Sequence, residues 1–363
     1  DITLHYCQDA REALQQAEQV QPTVILQDLV MPHVDGLDLV PQYRQQASTQ
    51  DTPLIVLSTK EEATTKAEAF ARGANDYLVK LPDPLELIAR IRYHSKGYIA
   101  LIERNEAFQA LAKSEQALRD ELSRAAEYVT SLLPEKTDAP VTTDWRFIPS
   151  AALGGDAFDY QWVDQDHFAI CLLDVCGHGV GSALLSVSVI NALRSRALAE
   201  TDFTDPAQVL SAVNRAFPME RQNFLFFTMW YGVYDRRDGT LRYGGGGHPS
   251  GLLMSNTASG AARLVELEST GPMVGLDDTA EFPSRTHQLQ SGDQLFVYSD
   301  GVFEVRQQEN GEMWTFQQFL EFMGSIEDNT TSKMDQLLAH VRRLQGSDEF
   351  VDDFSIVEMA FER

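Results

Sequence analysis

The sequence predicts a multi-domain protein with three kinds of structure: a doubly wound α/β domain, a long helical segment, and an α+β β-sandwich flanked by helices. Strand and helix patterns alternate over residues 1–97, and apolar residues recur at heptad spacing over 98–133. A short polar linker at 134–144 leads into 145–363, where short apolar strands end in Asp and Gly. A chain of 363 residues can hold two or three such domains.

The composition excludes several classes of protein. The net charge is −25, which argues against a nucleic-acid-binding face because phosphate contacts need clustered Lys and Arg. No run of about 18 apolar residues is present, so no membrane span is expected, and no signal-peptide pattern opens the chain. Cys7, Cys171 and Cys176 have no regular spacing, which indicates free thiols and a reducing cytoplasm.

Residues 1–97 predict a parallel sheet with helices near 10–20, 37–46, 61–72 and 84–96. The predicted strands are ITLHYC, TVILQD, PLIVLS and DYLVK. Asp28, Ser58 and Lys80 close the last three of these strands, so we expect them at one sheet edge. At that edge the Asp28 carboxylate could accept a phosphoryl group, and the Lys80 amine and the Ser58 hydroxyl could bind the oxygens of that group. Each residue taken alone is equally consistent with an ordinary strand end.

With MPHVDG following Asp28 and Pro82 soon after Lys80, this region resembles the receiver domain of a two-component response regulator. The resemblance implies that Asp28 is the phosphoacceptor for a sensor histidine kinase, with Ser58 as switch hydroxyl and Lys80 as the family's lysine. Leu81 separates Lys80 from Pro82, unlike the family pattern. The receiver's first strand and helix, whose acidic pair would hold Mg²⁺, have no counterpart. We expect them to precede residue 1, because a parallel sheet without its central strand exposes two edges. The alternative is an incomplete domain that cannot be phosphorylated in this form.

Residues from about 99 to 132 predict a helix of roughly 50 Å, which Leu133-Pro134 should end. Its two heptad series favour a parallel dimeric coiled coil, although a single amphipathic helix packed on the next domain is the alternative. One series is Leu101, Phe108, Glu115, Leu122 and Val129, and the other is Arg104, Leu111, Leu118, Ala125 and Leu132.

The stretch LLDVCGHGVGSALL places a carboxylate at a strand end, before a glycine-rich turn and a helix. Similar strand-end carboxylates occur in GGDAFD, VYSDGVFE and FVDDFSIV. Gathering several carboxylates is costly unless a cation lies among them, and oxygen ligands favour Mg²⁺ or Mn²⁺. The candidate residues are Asp156, Asp174, Asp300 and the pair Asp352 and Asp353.

Three further motifs accompany these stretches: FFTMWYGVYD, LRYGGGGHPSGLL and GPMVGL. On all of these motifs, a region of about 215 residues resembles a PPM-type metal-dependent Ser/Thr protein phosphatase of the sporulation and sigma-factor-regulating branch. The resemblance implies a β-sandwich between helix layers and two Mn²⁺ or Mg²⁺ ions. Asp174 would contact both ions, helped by the carbonyl of Val175. The remaining ligands would be Asp156, Asp300 and Asp352, the last preferred to Asp353 because the family uses the first of the pair.

Two such ions would activate a water molecule, which would then attack the phosphorus of a phosphoserine. By resemblance, the substrate is an anti-sigma-factor antagonist, and a dimeric helix transmits the receiver's state. A catalytically silent adaptor that sequesters a signalling partner is the alternative. A diguanylate cyclase is disfavoured because Ala157 and Phe158 follow GGD.

Four other features have less distinctive interpretations. His178 could act as a general acid, but backbone hydrogen bonds holding it in the turn are favoured, and His248 has no assigned role. Cys176 lacks the phosphate cradle that a nucleophile would need. The run Gly244 to Gly247 predicts a tight turn between strands.

Overall fold

The computed structural model describes residues 2–32, 34–256, 262–326 and 331–362. By its internal contacts the chain divides into two compact units, Asp1–Leu118 and Arg119–Arg363. The boundaries expected at 97/98, 133/134 and 144/145 remain predictions. No helix within the described residues has the length and apolar character needed to cross a bilayer.

The first unit contains a parallel sheet with strand order β1-β4-β5, which confirms the predicted α/β alternation. Its core includes fully buried side chains of β4, where Leu54 and Val56 pack against Val40 and Ala69 of the neighbouring helices. The elements are α1 (Ala13–Val20), β1 (Ile25–Asp28), β2 (Val30–Met31), β3 (Val34–Asp35), α2 (Gly36–Gln45), β4 (Leu54–Ser58), α3 (Ala63–Ala71), β5 (Asp76–Val79) and the beginning of α4 (Pro84–Ser131).

The strand predicted for ITLHYC is wrong. Residues 2–7 form no strand, and Leu4 and Tyr6 are exposed. A strand is stabilised by a ladder of hydrogen bonds to a neighbour, and within the described part of the chain no strand pairs with this segment. Its apolar pattern alone therefore does not produce a strand.

The two helices predicted near 84–96 and 99–132 form one continuous helix, α4, of 48 residues and about 72 Å. Gly97 lies inside it, because one glycine lowers helix stability without breaking the hydrogen-bond ladder. The helix ends at Ser131, before Leu133-Pro134, as predicted. None of its residues is buried within the single chain.

The second unit is a sandwich of two five-stranded antiparallel sheets, with orders β13-β10-β9-β8-β7 and β12-β11-β14-β15-β6. Its elements are β6 (Val141–Ile148), β7 (Ala157–Trp162), β8 (His167–Val175), α5 (Val180–Arg194), α6 (Pro206–Ala216), β9 (Phe227–Asp235), β10 (Thr240–Gly246), β11 (Gly251–Asn256), β12 (Ala262–Leu267), β13 (Arg285–Gln288), β14 (Gln294–Tyr298), α7 (Phe316–Ser325), α8 (Lys333–Gln345) and β15 (Phe354–Phe361).

Alternating side chains of the strands fill three apolar layers. In β8, Leu172 faces the layer between the two sheets, while Leu173 faces α5 and α6. On the other side, Phe296 of β14 packs against Phe319 of α7 and Leu337 of α8. This order of layers confirms the predicted sandwich flanked by helices.

Capping residues set the beginning of α6, which a helical pattern from Pro206 to Ala216 predicts with the same boundaries. The Asp205 carboxylate accepts a hydrogen bond from the Ala207 amide at 3.0 Å, and Pro206 fits the first turn. The sequence patterns did not predict α7, α8, β12 or β13.

The prediction of a tight turn for the glycine run is wrong for three of its four residues. Gly244, Gly245 and Gly246 lie within β10, and Gly247 alone has a positive φ, of 66°. A side chain at Gly245 would collide with the side chain of Ser269, whose segment runs beside the strand and pairs with it at Gly246 and Gly271. Close approach of another segment, not a turn, therefore requires small residues at this position.

Candidate active site

The predicted carboxylates lie where strands of both sheets begin or end. Asp156 directly precedes β7, and Asp174 and Val175 end β8 in the same sheet. In the other sheet, Asp300 follows β14, and Asp352 precedes β15. Residues Ala157 and Leu173 are paired, so the beginning of β7 lies beside the end of β8.

The pKa values show that these carboxylates are close enough to repel one another. Burial, followed by the charges of Asp300 and Asp352, raises the pKa of Asp174 to about 7. Burial and the charge of Asp352 raise the pKa of Asp300 to about 6. Burial and then Asp174 also raise the pKa of Asp156, while burial raises that of Asp352. The fold therefore concentrates negative charge at one end of the sandwich.

The charge of the buried Asp156 carboxylate is poorly compensated, and a cation would compensate it. Both of its carboxylate oxygens are buried, and neither has a hydrogen bond of normal geometry among the described residues. The nearby hydroxyls of Ser355 and Ser299 only partly offset the rise in its pKa. A buried carboxylate without a partner is costly, and a hard divalent cation would compensate this charge with oxygen ligands.

The residues present fit such an ion by their chemistry. In the described part of the chain, no three His, Cys, Asp or Glu side chains converge tightly enough to form a finished ligand set. Mutual repulsion keeps carboxylates apart when no positive charge lies between them. The assignment of Asp156, Asp174, Val175, Asp300 and Asp352 as ligands stays a prediction.

Asp353 has a different environment from Asp352. Its carboxylate accepts hydrogen bonds from the Ser150 amide at 2.7 Å, the Ser150 hydroxyl at 2.9 Å, and the amides of Gly155 at 2.6 Å and Asp156 at 3.3 Å. Asp353 is buried, whereas Asp352 is exposed. Asp353 thus holds the loop that carries Asp156, whereas Asp352 is exposed and its Oδ1 accepts a hydrogen bond from the Asp353 amide at 2.8 Å.

The glycines of the motifs could have revealed this role of Asp353. A side chain at Gly154 would collide with the carboxylate of Asp353, and one at Gly301 would collide with its carbonyl oxygen. The GG of GGD and the G of SDG therefore make room for a residue far away in the sequence. A positioning role for Asp353 was missed because its partners are about 200 residues distant.

The two histidines left open by the sequence differ in environment. His178 is exposed, and the described residues form no hydrogen bond with its imidazole, so the favoured backbone contacts are absent. His248 is buried, and its Nδ1 lies 2.7 Å from the Thr228 hydroxyl. Burial lowers the pKa of His248 to about 3, so it is neutral. Because Thr228 pairs with Asp174 across β8 and β9, His248 braces the strand beside the site.

The receiver residues lie at the carboxyl edge of their sheet, as predicted. Asp28 ends β1, Ser58 ends β4, and Lys80 follows β5. The Lys80 ammonium lies 2.5 Å from one Asp28 oxygen, and the other oxygen accepts a hydrogen bond from the Val30 amide at 3.1 Å. The Ser58 hydroxyl accepts a hydrogen bond from the Lys60 amide at 3.1 Å. The carboxylate and the amine are thus already in contact.

Two antiparallel sheets between pairs of helices, with carboxylates gathered where both sheets end, define the class of protein serine/threonine phosphatases of the PP2C type. The family model for stage II sporulation protein E (SpoIIE) matches residues 164–362, more than half of the chain, and the protein belongs to that family. The match includes Asp174, Asp300 and Asp352 but begins after Asp156. The response regulator receiver domain matches residues 1–92.

Individual relatives agree with this assignment. The phosphoserine phosphatase RsbU of Bacillus subtilis (strain 168) is 27% identical over 255 residues, which cover 69% of this chain and 72% of RsbU. The phosphoserine phosphatase RsbP of the same organism is 29% identical over 168 residues, 45% of this chain and 40% of RsbP. This chain thus spans about two fifths of RsbP.

Solved structures show the same fold. The SiaA-PP2C domain of Pseudomonas aeruginosa superimposes with a TM-score of 0.60 at 20% identity, covering 69% of this chain and 99% of that domain. A SpoIIE structure from Bacillus subtilis, with the phosphatase domain and a fragment of the regulatory domain, gives 0.51 at 18% identity, covering 61% of this chain and 62% of that one.

Without metal, the stability of the protein should fall as the pH rises. The pKa of Asp174 is raised in the fold from 3.8 to about 7, so its contribution is fully present below about pH 4 and is lost as the pH rises through 7. In chelator, thermal unfolding should show a Tm that decreases from about pH 5 to pH 8. Asp174→Asn should weaken this decrease and raise Tm at pH 8, by about 2–4 °C for each kcal/mol recovered. Asp278→Asn, an exposed control, should keep the wild-type slope; equal slopes in both variants would contradict the assignment.

The neighbouring residues Asp352 and Asp353 should respond differently to substitution. Asp353→Ala leaves buried amides without an acceptor, so we expect a loss of about 2 kcal/mol or more in the free energy of unfolding. Asp352→Ala should change the stability of the metal-free protein little but weaken Mn²⁺ binding. Urea unfolding and isothermal titration calorimetry would measure the two effects, and equal destabilisation by both variants would refute the distinction.

Proposed function

We propose that this protein is a response regulator whose output is the metal-dependent dephosphorylation of a phosphoserine or phosphothreonine protein. The observation that carries the proposal is the fully buried carboxylate of Asp156, which has no hydrogen bond of normal geometry among the described residues and is affected by the charge of Asp174. The pKa of Asp174 is in turn raised by burial and by the charges of Asp300 and Asp352. Carboxylates gathered in this way destabilise a fold, whereas a site for divalent cations requires them.

Asp156, Asp174, Asp300, Asp352 and the carbonyl of Val175 would hold two Mn²⁺ or Mg²⁺ ions. Bound divalent ions supply Lewis-acid activation of water and neutralise the charge of the phosphoryl group. The chain itself keeps the carboxylates in place through Asp353 and through rigid strand ends, so that their orientation is fixed before substrate binds.

The similarity to RsbU and RsbP, both named phosphoserine phosphatases, supports a phosphoserine substrate. We infer that this substrate is an anti-sigma-factor antagonist of a partner-switching pathway in the cytoplasm. A catalytically silent adaptor is the second candidate. It is less favoured because none of the four predicted carboxylates is lost from the sequence, and the charges of Asp300 and Asp352 act on Asp174.

A route for gating by the receiver begins at Asp28 and Lys80 and follows α4, which starts in the first unit and ends in the second. Just after this helix, the carbonyl of Leu132 accepts a hydrogen bond from Arg194 at 3.1 Å. Arg194 ends α5 and also binds the buried carboxylate of Asp159 at 2.6 Å. Asp159 lies three residues beyond Asp156, so a shift of the helix end would reach the site through one arginine.

The exposed apolar residues of α4 support a homodimer. Phe108, Leu111 and Leu118 are exposed at heptad positions in the single chain. Pairing with the same helix of a second copy would remove them from water, and we propose a parallel coiled coil on this ground.

The activity should depend on metal and on Asp174. Purified protein should release phosphate from p-nitrophenyl phosphate and from a phosphoserine peptide with Mn²⁺ and not with chelator. Asp174→Asn should reduce kcat/KM by about 100-fold or more, because several kcal/mol of charge stabilisation are lost. Asp278→Asn should match the wild type. Tight Mn²⁺ binding without phosphate release from either compound would favour the adaptor.

Phosphorylation of Asp28 should change the output. Treatment of the full-length protein with acetyl phosphate should alter the rate of phosphate release by about threefold or more, and Asp28→Asn should abolish this response. Arg194→Gln should retain phosphorylation at Asp28, measured on a Phos-tag gel, but lose most of the change in rate. A full response in Arg194→Gln would exclude the proposed route.

Substitution in the heptad should dissociate the dimer. Leu118→Glu places a charge in the proposed seam, so sedimentation equilibrium should give the mass of one chain at concentrations where the wild type is a dimer. Ala110→Glu, an exposed change away from the seam, serves as the matched control. A wild-type protein that is monomeric at about 50 µM would contradict the coiled coil, since stable zippers pair well below that concentration.

A further inference from the structure

Large apolar side chains are exposed beside the candidate active site, on three segments of the second unit. Phe224 is 71% exposed and Leu184 is 61% exposed, which is unusual for side chains of this size. We call this group the flanking surface. Its members are Val180, Leu184, Phe224, Met273 and Leu276.

The first two segments are in contact. Val180 and Leu184 are four residues apart on α5 and so lie on the same side of that helix. Between them, a Cβ built on Gly181 would lie 3.7 Å from the Cδ1 of Leu225, in van der Waals contact. Leu225 directly follows Phe224, so the beginning of α5 borders the segment that carries the exposed ring.

The third segment is joined to the second through Met219. The amide of Phe224 donates a hydrogen bond to the carbonyl of Met219 at 2.9 Å. The amide of Met219 in turn donates to the carbonyl of Gly275, also at 2.9 Å. Gly275 lies between Met273 and Leu276. The segments that carry the exposed apolar residues therefore adjoin one another.

This region adjoins the carboxylates. The amide of Cys176 donates to the carbonyl of Phe226 at 3.0 Å, and the amide of Phe226 donates to the Sγ of Cys176 at 3.4 Å. Cys176 is two residues from Asp174, and Phe226 is two residues from Phe224. A protein that presents a phosphorylated side chain to Asp174 must lay its neighbouring residues over adjoining surface of this kind.

The backbone at Phe224 is strained. Asn223 and Phe224 have φ values of 52° and 62°, in the left-handed region that Asn tolerates but that a bulky residue such as Phe seldom adopts. Leu225 and Phe227 belong to the apolar core, whereas the ring of Phe224 points outward. Stability does not explain an aromatic ring held in water by a strained backbone, and such outliers cluster at binding sites.

We propose that the flanking surface binds the apolar residues next to the phosphoserine of the substrate, with Phe224 as the main contact. The proposal rests on the phosphatase function proposed above. The chain carries a net charge of −25, and the adjacent site is acidic, so acidic flanking residues would be repelled. A second copy of the chain is a poorer occupant, because it would crowd the approach to Asp174 that any protein substrate needs.

Two synthetic phosphoserine peptides test this assignment, one with Leu and Val on both sides of the phosphoserine and one with Glu at the same positions. The wild type with Mn²⁺ should prefer the apolar peptide about tenfold in kcat/KM, mainly through KM. Phe224→Ala should reduce this preference to about twofold or less, and Leu184→Ser should reduce it in part. Phe70→Ala removes an exposed ring from the first unit and should keep the full preference.

Binding of the same peptides to Asp174→Asn protein, measured by fluorescence anisotropy, makes the result independent of turnover. Phe224→Ala in that background should weaken binding of the apolar peptide about tenfold. An unchanged preference and unchanged binding in Phe224→Ala would overturn the proposal. Loss of the dimer in Phe224→Ala would do the same, since a second copy would then occupy the surface. If the wild type hydrolyses neither peptide nor p-nitrophenyl phosphate, the phosphatase function fails, while the binding data still decide the role of the surface.

Discussion

The hydrogen bonds of Asp353 are the interaction on which the active site depends. One buried carboxylate binds the amides of Ser150, Gly155 and Asp156, and thereby ties the loop before β7 to the beginning of β15. These strands belong to different sheets. Without this link, the carboxylates that end the strands of one sheet would not face those of the other.

That link also explains how the fold tolerates so much buried negative charge. Asp353 is stabilised by several donors, which is how a buried carboxylate usually meets the cost of desolvation. Asp156 and Asp174 are compensated much less, and burial together with neighbouring carboxylates raises their pKa values. Apolar layers pack on both faces of the strands, and this packing supplies the stability that keeps Asp156 and Asp174 buried.

The proposed chemistry, regulation and substrate recognition all involve residues at the same end of the sandwich. Arg194 connects the end of the long helix to β7, His248 braces the strand beside Asp174, and the strained segment at Phe224 adjoins the turn after β8. Because these residues contact β7, β9 and the turn after β8, a small displacement of any of them would shift the strands that carry the carboxylates.

Local patterns in the sequence were sufficient for much of this fold. The α6 helix, the strands around Asp28 and Asp174, and the end of α4 follow from apolar periodicity, capping residues and proline, which act within a few residues. The positions of Asp156, Asp174, Asp300 and Asp352 at strand ends were determined in the same way. The ITLHYC segment failed because a strand also needs a partner, and periodicity does not show whether one is available.

The tertiary structure alone decided which acidic residue of a pair is satisfied, which glycines make room for distant groups, and which apolar side chains stay exposed. Asp352 and Asp353 are adjacent and chemically identical, and only hydrogen bonds to residues about 200 positions away distinguish them. The hydrogen bond of His248 and the proposed role of Phe224 also depend on contacts between distant segments. Such contacts join segments that are far apart in the sequence, so no local pattern contains them.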